Sequence, residues 1–250
     1  MYKVVIIDDE PIIVKGLSKI IPWEKYDCEV IATAEDGQEG LELIRELRPN
    51  IVFSDIYMPK MNGLLMAAAL KSEFEDTEVT ILTGYRDFEL VREALHLGVT
   101  RFILKPSNME ELEEAVKTMT DRLKKKGICK TAENTTENMA ENTAAGSFIV
   151  KNAFAFIRAN YNHKITLKEV ADNTYVSQWH LSKLLNRHTG QSFSEILNHI
   201  RIEEAKELLK DPSLRIGEIA EMVGFLDMAH FSRVFKKITG ISANEYRNQL

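Results

Sequence analysis

The chain has 250 residues, of which 44% are hydrophobic and 28% are charged, a composition typical of globular rather than disordered proteins. This length predicts two domains, and two cysteines are too few for a disulfide framework, which favours a reducing compartment. The longest apolar run, residues 64–70, is far shorter than a membrane-spanning helix. We therefore expect a cytoplasmic protein with no membrane partner.

Charge is distributed unevenly along the chain, whose net charge is −6. Residues 1–123 carry 14 Lys and Arg against 24 Asp and Glu, a balance of −10, whereas residues 148–250 carry 14 against 11, a balance of +3. Between them, residues 124–147 are rich in Lys, Glu, Asn and Thr without an amphipathic period, which is typical of a mobile linker. The sequence thus predicts an acidic domain (1–123), a linker (124–147) and a mildly basic domain (148–250).

Short apolar runs alternate with amphipathic stretches in the acidic half. The predicted strands are residues 3–8, 29–34, 51–55, 78–83 and 101–105. The predicted helices are residues 12–20, 37–47, 64–74, 87–97 and 109–123. This alternation predicts a doubly wound parallel sheet, and runs such as VVII and IVF are apolar on successive residues, as strands covered on both faces must be.

The basic half has no strand pattern and contains an internal repeat. Its predicted helices are residues 148–160, 167–173, 178–187, 193–209, 216–223, 228–238 and 243–249. Residues 165–171 recur 49 positions later, whereas residues 180–190 recur 50 positions later, so the turn of the second copy has gained one residue. A duplicated helix-turn-helix explains this repeat, and a pair of purely structural helical hairpins remains the alternative.

Reactive polar residues stand at the predicted ends of four strands, and the carboxyl ends of parallel strands are where open sheets bind ligands. They are Asp8 with Asp9, Asp55, Thr83 and Lys105. Each alone is more often a helix cap or turn former, but together they are chemically complementary. The carboxylates suit Mg²⁺, and Asp55 can act as a nucleophile for a phosphoryl group. Lys105 and Thr83 can stabilise the oxygens of that group.

The segments VVIIDDE, SDIYMPKMNG, ILTGY and FILKP resemble the CheY-like receiver domain of bacterial response regulators, across the acidic half. The resemblance implies an α/β flavodoxin-like fold with a doubly wound five-stranded parallel sheet. It implies Asp55 as the phosphoacceptor, and Mg²⁺ as a cofactor held by Asp8, Asp9, Asp55 and the backbone carbonyl of Tyr57. Asn62 stands where Asp is frequent in the family, a departure that we expect to affect the turn more than the chemistry.

The same resemblance implies a conformational switch and excludes a related enzyme. Thr83 corresponds to the switch hydroxyl, Phe102 to the switch aromatic and Lys105 to the phosphate-binding lysine, which is followed by a cis bond to Pro106. A role for Phe102 only in the core is the alternative. Dehalogenase-like phosphatases, which also form a phosphoaspartate, place a second Asp two residues after the nucleophile, where this chain has Tyr57. We therefore expect a switch and not an enzyme.

Two amphipathic helices are the predicted DNA-binding elements of the basic half. The stretch IGEIAEMVGFLDMAHFSRVFKKITGISANEYR resembles the end of the AraC/XylS-type DNA-binding domain. The outward residues expected to contact DNA are Gln178, Trp179, Ser182, Lys183 and Arg187 in the first copy and Met228, Ala229, Ser232, Arg233, Lys236 and Lys237 in the second. Phosphate contacts are expected from Arg187, Lys236 and Lys237. Because Met228 and Ala229 are apolar, we expect the second helix to recognise thymine methyl groups or to read almost no sequence.

Together the two resemblances imply a two-component response regulator that acts as a transcription factor. The partners they imply are a sensor histidine kinase, double-stranded DNA, a second copy of the chain after phosphorylation, and RNA polymerase. Two alternatives stay open from the residues alone. One is a phosphatase that works through Asp55, and the other is a module whose helical half binds a protein instead of DNA.

Overall fold

Strands and helices alternate through the N-terminal part of the protein, as the sequence predicts. The computed structural model describes residues 1–84, 88–130 and 144–250. The elements in chain order are β1 (Tyr2–Ile7), α1 (Pro11–Ile20), a 3₁₀ helix (Trp23–Tyr26), β2 (Cys28–Ala34), α2 (Gly37–Leu47), β3 (Ile51–Asp55), α3 (Gly63–Glu73), β4 (Glu78–Thr83), α4 (Phe88–His96), β5 (Arg101–Leu104) and α5 (Met109–Lys130). In these described ranges, no helix is both long enough and apolar enough to cross a membrane.

The five strands form one parallel sheet in the order β2-β1-β3-β4-β5, which confirms the predicted doubly wound fold. Every residue of β3 and β4 is buried, because helices cover both faces of the sheet. Since all strands point the same way, their carboxyl ends lie along one edge, and β1 and β3 are direct neighbours there. This arrangement brings the polar residues after β1 and β3 together.

Helix α5 is longer than the sequence pattern predicts. Residues 124–130, assigned to the linker, continue the helix to Lys130. Two basic side chains of this helix reach the buried carboxylate of Glu78, at 2.8 Å for Lys126 and 3.7 Å for Arg122, which fixes the helix against the sheet. Residues 144–147, also assigned to the linker, belong to the helix that begins at Ala144, and residues 131–143 lie outside the described residues.

Glu78 and Lys71 form a buried charge cluster at the amino end of β4. Thr100 Oγ1 also donates to Glu78, and Lys71 Nζ donates to the carbonyl of Thr77 at 2.6 Å. Burial lowers the pKa of Lys71 from 10.5 to about 8, with the charge of Glu78 acting in the opposite direction. Burial raises the pKa of Glu78, but the hydrogen bonds from Lys126 and Thr100 outweigh it and leave that pKa below its ordinary value.

The C-terminal part of the protein is helical throughout, as predicted. Its helices are α6 (Ala144–Asn160), α7 (Leu167–Asn173), α8 (Gln178–Thr189), α9 (Phe193–Leu208), α10 (Ile216–Met222), α11 (Met228–Thr239) and α12 (Ala243–Arg247). The pairs α7–α8 and α10–α11 are the two predicted helix-turn-helix copies. Inward aromatic residues of α11, Phe231 and Phe235, are fully buried, and α9 contributes Ile202 and Ala205 to the same core.

The turns of the two copies align residue by residue up to the point where the second copy has one extra residue. Val176 and Phe225 are both buried and both donate a backbone hydrogen bond to the helix before them. In the first copy Ser177, which caps α8, follows directly, whereas in the second copy Leu226 precedes the cap Asp227. Leu226 is therefore the residue added to the second copy, and it is 88% exposed.

A buried arginine connects the segment before the first copy to the turn of the second. Arg201 on α9 donates to the carbonyls of Tyr161 and His163, both at 2.8 Å, and its guanidinium lies over the ring of Phe225. Gly224 has a φ of +88°, and a Cβ there would lie 2.7 Å from the Tyr161 carbonyl oxygen. Glycine therefore allows the Tyr161 backbone to approach this turn.

The buried ammonium of Lys71 predicts a specific pH dependence of stability. Between about pH 8 and pH 10.5 the unfolded chain keeps a proton on this lysine that the folded protein loses, so this group makes the folded state more stable as the pH rises. The free energy of unfolding of the wild type should gain up to about 3 kcal/mol relative to Lys71→Met across this window. Urea unfolding at pH 7 to 10 measures this difference, with Lys117→Met, an exposed lysine on α5, as the control. A difference that stays constant with pH would contradict the prediction.

Candidate functional site

Three carboxylates converge at the carboxyl edge of the sheet. Asp8 follows β1 and is fully buried, Asp55 is the last residue of β3 and is buried, and Asp9 is exposed. One oxygen from each lies within 4.8 Å of the others. The structure therefore brings together the three acidic residues that the sequence analysis placed in one site.

The side chain of Lys105 reaches two of these carboxylates from the end of β5. Its Nζ lies 2.7 Å from Asp8 Oδ2 and 3.3 Å from Asp55 Oδ2. Burial lowers the pKa of Lys105, but the hydrogen bond and charge of Asp8, together with Asp55, outweigh it and raise that pKa. Burial raises the pKa of Asp55, and the ammonium of Lys105 opposes this change. Lys105 is therefore a cation in direct contact with the site.

Asp55 is held in place by its own neighbours in the chain. The Ile56 N–H donates to Asp55 Oδ1 at 2.7 Å, and Ser54 Oγ donates to the Asp55 backbone carbonyl at 2.8 Å. Gly63, the first residue of α3, lies so close that a Cβ would be 1.9 Å from that carbonyl oxygen. The Asn62 side chain caps α3 by accepting from the Leu65 N–H, which agrees with the expected role of Asn62 in the turn.

A second set of contacts fixes the loop between β3 and α3, and the sequence analysis did not identify it. Lys60 Nζ lies 2.6 Å from Asp36 Oδ2, while Asp36 Oδ1 caps α2 by accepting the N–H groups of Gln38 and Glu39. A Cβ on Gly37 would lie 2.4 Å from the Met61 carbonyl oxygen. The only sequence signal was an Asp-Gly pair at the start of a predicted helix, which is common in caps.

The remaining predicted receiver residues lie around the same edge. Thr83 is buried at the end of β4, one position beyond Leu82, which is in register with Asp55. Phe102 on β5 is partly buried, and the bond between Lys105 and Pro106 is cis, as the resemblance implies. Tyr57 lies in the loop after β3, two residues beyond Asp55, and its side chain is exposed.

The donor set fits a divalent cation such as Mg²⁺. Three carboxylates outnumber the one ammonium, so the cluster is formally anionic, and all of the candidate side-chain ligands are hard oxygens. Asp8, Asp9 and Asp55 are the side chains that could hold the ion. Because Asp8 and Asp55 are buried and close to Asp9, their mutual repulsion favours a divalent cation in addition to the Lys105 ammonium.

The proposed DNA-contacting residues of the helical part are all on exposed faces. In α8 and α11 they are Gln178, Trp179, Ser182, Lys183, Arg187, Met228, Ala229, Ser232, Arg233, Lys236 and Lys237. Trp179 is 71% exposed, so it is not packed into the neighbouring helix, and Lys183 Nζ lies 5.1 Å from the centre of its ring. The opposite face of α8 is the predicted apolar stripe, with Leu181, Leu184 and Leu185 buried.

Comparisons with known families agree with both parts of the chain. Residues 4–117 match the response regulator receiver domain, and residues 170–249 match a helix-turn-helix domain. An uncharacterized response regulatory protein of Staphylococcus epidermidis is 32% identical over 100% of this chain and 99% of its own length. The transcriptional regulatory protein HptR of Staphylococcus aureus is 33% identical over the same shares. The chain belongs to the response regulators.

This response regulator joins a receiver to an AraC-type helix-turn-helix domain. It is a phosphorylation-controlled, DNA-binding regulator of transcription and not an enzyme, which excludes the phosphatase alternative. Among solved structures, the receiver domain of the response regulator AraT from Geobacillus stearothermophilus is 36% identical, covering 50% of this chain and 98% of that one, with a TM-score of 0.48.

The contact between Gly63 and Asp55 gives a testable prediction for this response regulator. Gly63→Ala forces a methyl group onto the Asp55 carbonyl, so it should displace the carboxylate and lower the free energy of unfolding by about 1–3 kcal/mol. It should also slow phosphorylation by a small-molecule phosphodonor. Gly16→Ala, where a Cβ has room in α1, is the control and should leave phosphorylation unchanged. Wild-type rates in Gly63→Ala would show that this contact does not position Asp55.

Proposed function

We propose that Asp55 accepts a phosphoryl group from a sensor histidine kinase and that this controls DNA binding by α8 and α11. The observation that carries the proposal is the convergence of Asp8, Asp9 and Asp55 with the Lys105 ammonium at one sheet edge. A nucleophilic carboxylate, further oxygen ligands and a fixed cation are the groups that phosphoryl transfer requires. Because the same chain carries a duplicated helix-turn-helix, phosphorylation of this site would control transcription through DNA binding.

In the proposed transfer, an Asp55 carboxylate oxygen forms the new O–P bond while the N–P bond of a phosphorylated histidine breaks. The electron pair of the broken bond returns to the imidazole. Asp8, Asp9, Asp55 and the Tyr57 carbonyl would hold Mg²⁺, which would stabilise the negative charge on the oxygens of the transferred group. Lys105 is already within 3.3 Å of Asp55, and we propose that it pairs with the phosphoryl oxygens.

The proposed product is a lasting signal because this chain lacks a carboxylic acid at the position where dehalogenase-like phosphatases place their general acid. The residue two positions after Asp55 is Tyr57, whose phenol is not a carboxylic acid and whose side chain is exposed. The proposed switch residues are Thr83, which is buried at the end of β4, and Phe102, which is partly buried on β5. Movement of Thr83 toward the phosphoryl group leaves space for Phe102 and changes the surface formed by α4, β5 and α5.

We further propose that this surface pairs two copies of the chain, which places two DNA-binding parts on adjacent half-sites. Linking the two parts raises their effective concentration on DNA without any new contact to it. Helix α9, with 16 residues, is about 24 Å long, and we propose that it spaces α8 and α11 so that they enter successive major grooves on one face of the DNA. RNA polymerase and a cytoplasmic location belong to the same proposal, since promoter DNA is the site of action.

The phosphoacceptor assignment predicts a sharp result for Asp55→Asn. With a small-molecule phosphodonor and Mg²⁺, the wild type should gain the mass of one phosphoryl group, form a dimer and bind DNA more tightly, whereas Asp55→Asn should do none of these. Removing Mg²⁺ with EDTA should abolish phosphorylation of the wild type. Asp76→Asn, an exposed carboxylate in the turn before β4, is the matched control. Intact mass and light scattering on the same samples measure the outcome, and a phosphorylated Asp55→Asn variant would refute the assignment.

The DNA-binding surface predicts a change in salt dependence. If Lys236 and Lys237 each contact a phosphate, replacing both with Ala should reduce the slope of log affinity against log salt by about 2. Lys206→Ala with Lys210→Ala is the matched control, because each of these lysines is already paired with a glutamate at 2.6 Å. Fluorescence anisotropy on a random duplex measures the slope. Binding that does not depend on salt in the wild type would favour the alternative that the helical part binds a protein.

A further inference from the structure

The residue added to the second helix-turn-helix copy is an exposed leucine at the start of its recognition helix. Leu226 lies between the buried Phe225, which ends the turn, and Asp227, which caps α11. Its side chain is 88% exposed, the largest exposed fraction among the large hydrophobic residues of the described chain. A side chain of this size gains nothing for the fold when it is left in water. It is therefore available to a partner.

The two copies differ at the start of their recognition helices. In the first copy the cap Ser177 directly follows the turn and precedes Gln178 and the exposed Trp179, whereas in the second copy Leu226 precedes the cap and the exposed Met228 and Ala229 follow it. Met228 is 44% exposed. The amino end of α11 thus presents three apolar side chains to solvent on both sides of its cap.

The position of this apolar group favours DNA as its partner. Asp227 Oδ1 and Oδ2 accept the N–H groups of Ala229 and His230, at 3.0 Å each, which fixes the amino end of α11. The exposed face of the same helix carries Arg233, Lys236 and Lys237, whose charges suit phosphates. Recognition helices present their amino ends to base edges in the major groove. The apolar group therefore stands at the end of α11 from which such helices contact bases.

We infer that Leu226 contacts the 5-methyl group of a thymine in the half-site bound by α11 and is a specificity-determining residue of this regulator. Thymine is the base that offers an apolar group in the major groove. The added residue gives the second copy a reading position that the first copy lacks. This inference rests on the proposed function of α11 as a DNA-binding helix.

Replacing thymine with deoxyuridine removes only the methyl group and tests the inference directly. The full chain first selects its preferred duplexes from a random library, and each thymine of a selected duplex is then replaced singly by deoxyuridine. The wild type should lose about four-fold in affinity at one thymine of the α11 half-site, the value expected for one buried methyl group. Leu226→Ser should bind the thymine duplex more weakly and show no loss at that position.

Two further variants separate this inference from the proposed function. Ile20→Ser, which removes an exposed apolar side chain from α1, should keep the wild-type preference for thymine. If Lys236→Ala with Lys237→Ala weakens binding but Leu226→Ser keeps the preference, the inference about Leu226 is wrong and the proposed function stands. If the double lysine variant binds DNA as the wild type does, α11 is not a DNA-binding helix and both fail. If Leu226→Ser binds DNA normally but transcription by purified RNA polymerase is lost, the partner of Leu226 is a protein and the inference is overturned.

Discussion

The contact of Lys105 with Asp8 and Asp55 is the interaction on which the proposed phosphorylation site depends. Parallel strands present their carboxyl ends at one edge, so the fold itself brings the acidic residues together. Carboxylates that are close and partly buried repel one another and lose solvation. The ammonium compensates part of that cost from β5, on the far side of β4, and so links the sheet edge to the strand that carries Phe102. The cation that stabilises the acidic cluster is therefore also the one proposed to pair with the phosphoryl oxygens.

Most of the fold follows from local sequence patterns. Strands β3 and β4 have the predicted bounds because strands covered on both faces are apolar on successive residues. The end of α5 could not be predicted in this way, since the residue that holds it, Glu78, is 48 positions from Lys126 in the sequence. The 3₁₀ helix was also missed, because Trp23 is fixed by a hydrogen bond to the Leu17 carbonyl and by packing against Phe53.

The residues proposed to carry the chemistry were easier to predict than those that shape the site. Asp8, Asp55 and Lys105 stand at strand ends in recognisable motifs, and the structure brings them together. The role of Gly63 depends on the approach of two backbone segments, which is a distance in space and not a pattern in sequence. The added position in the second copy was visible as a change of repeat offset, but only the structure identifies it as Leu226 and places it in solvent.

The buried Arg201 has a consequence for how the duplicated domain can vary. The backbone of Tyr161 and His163, which leads into the first copy, is bonded to Arg201, and it rests against Gly224 in the turn of the second. The two copies therefore share a structural support although each has its own helix pair. Grafting one copy alone onto another scaffold would leave the Tyr161 and His163 carbonyls without their donor, so a graft that keeps the fold has to carry both copies together.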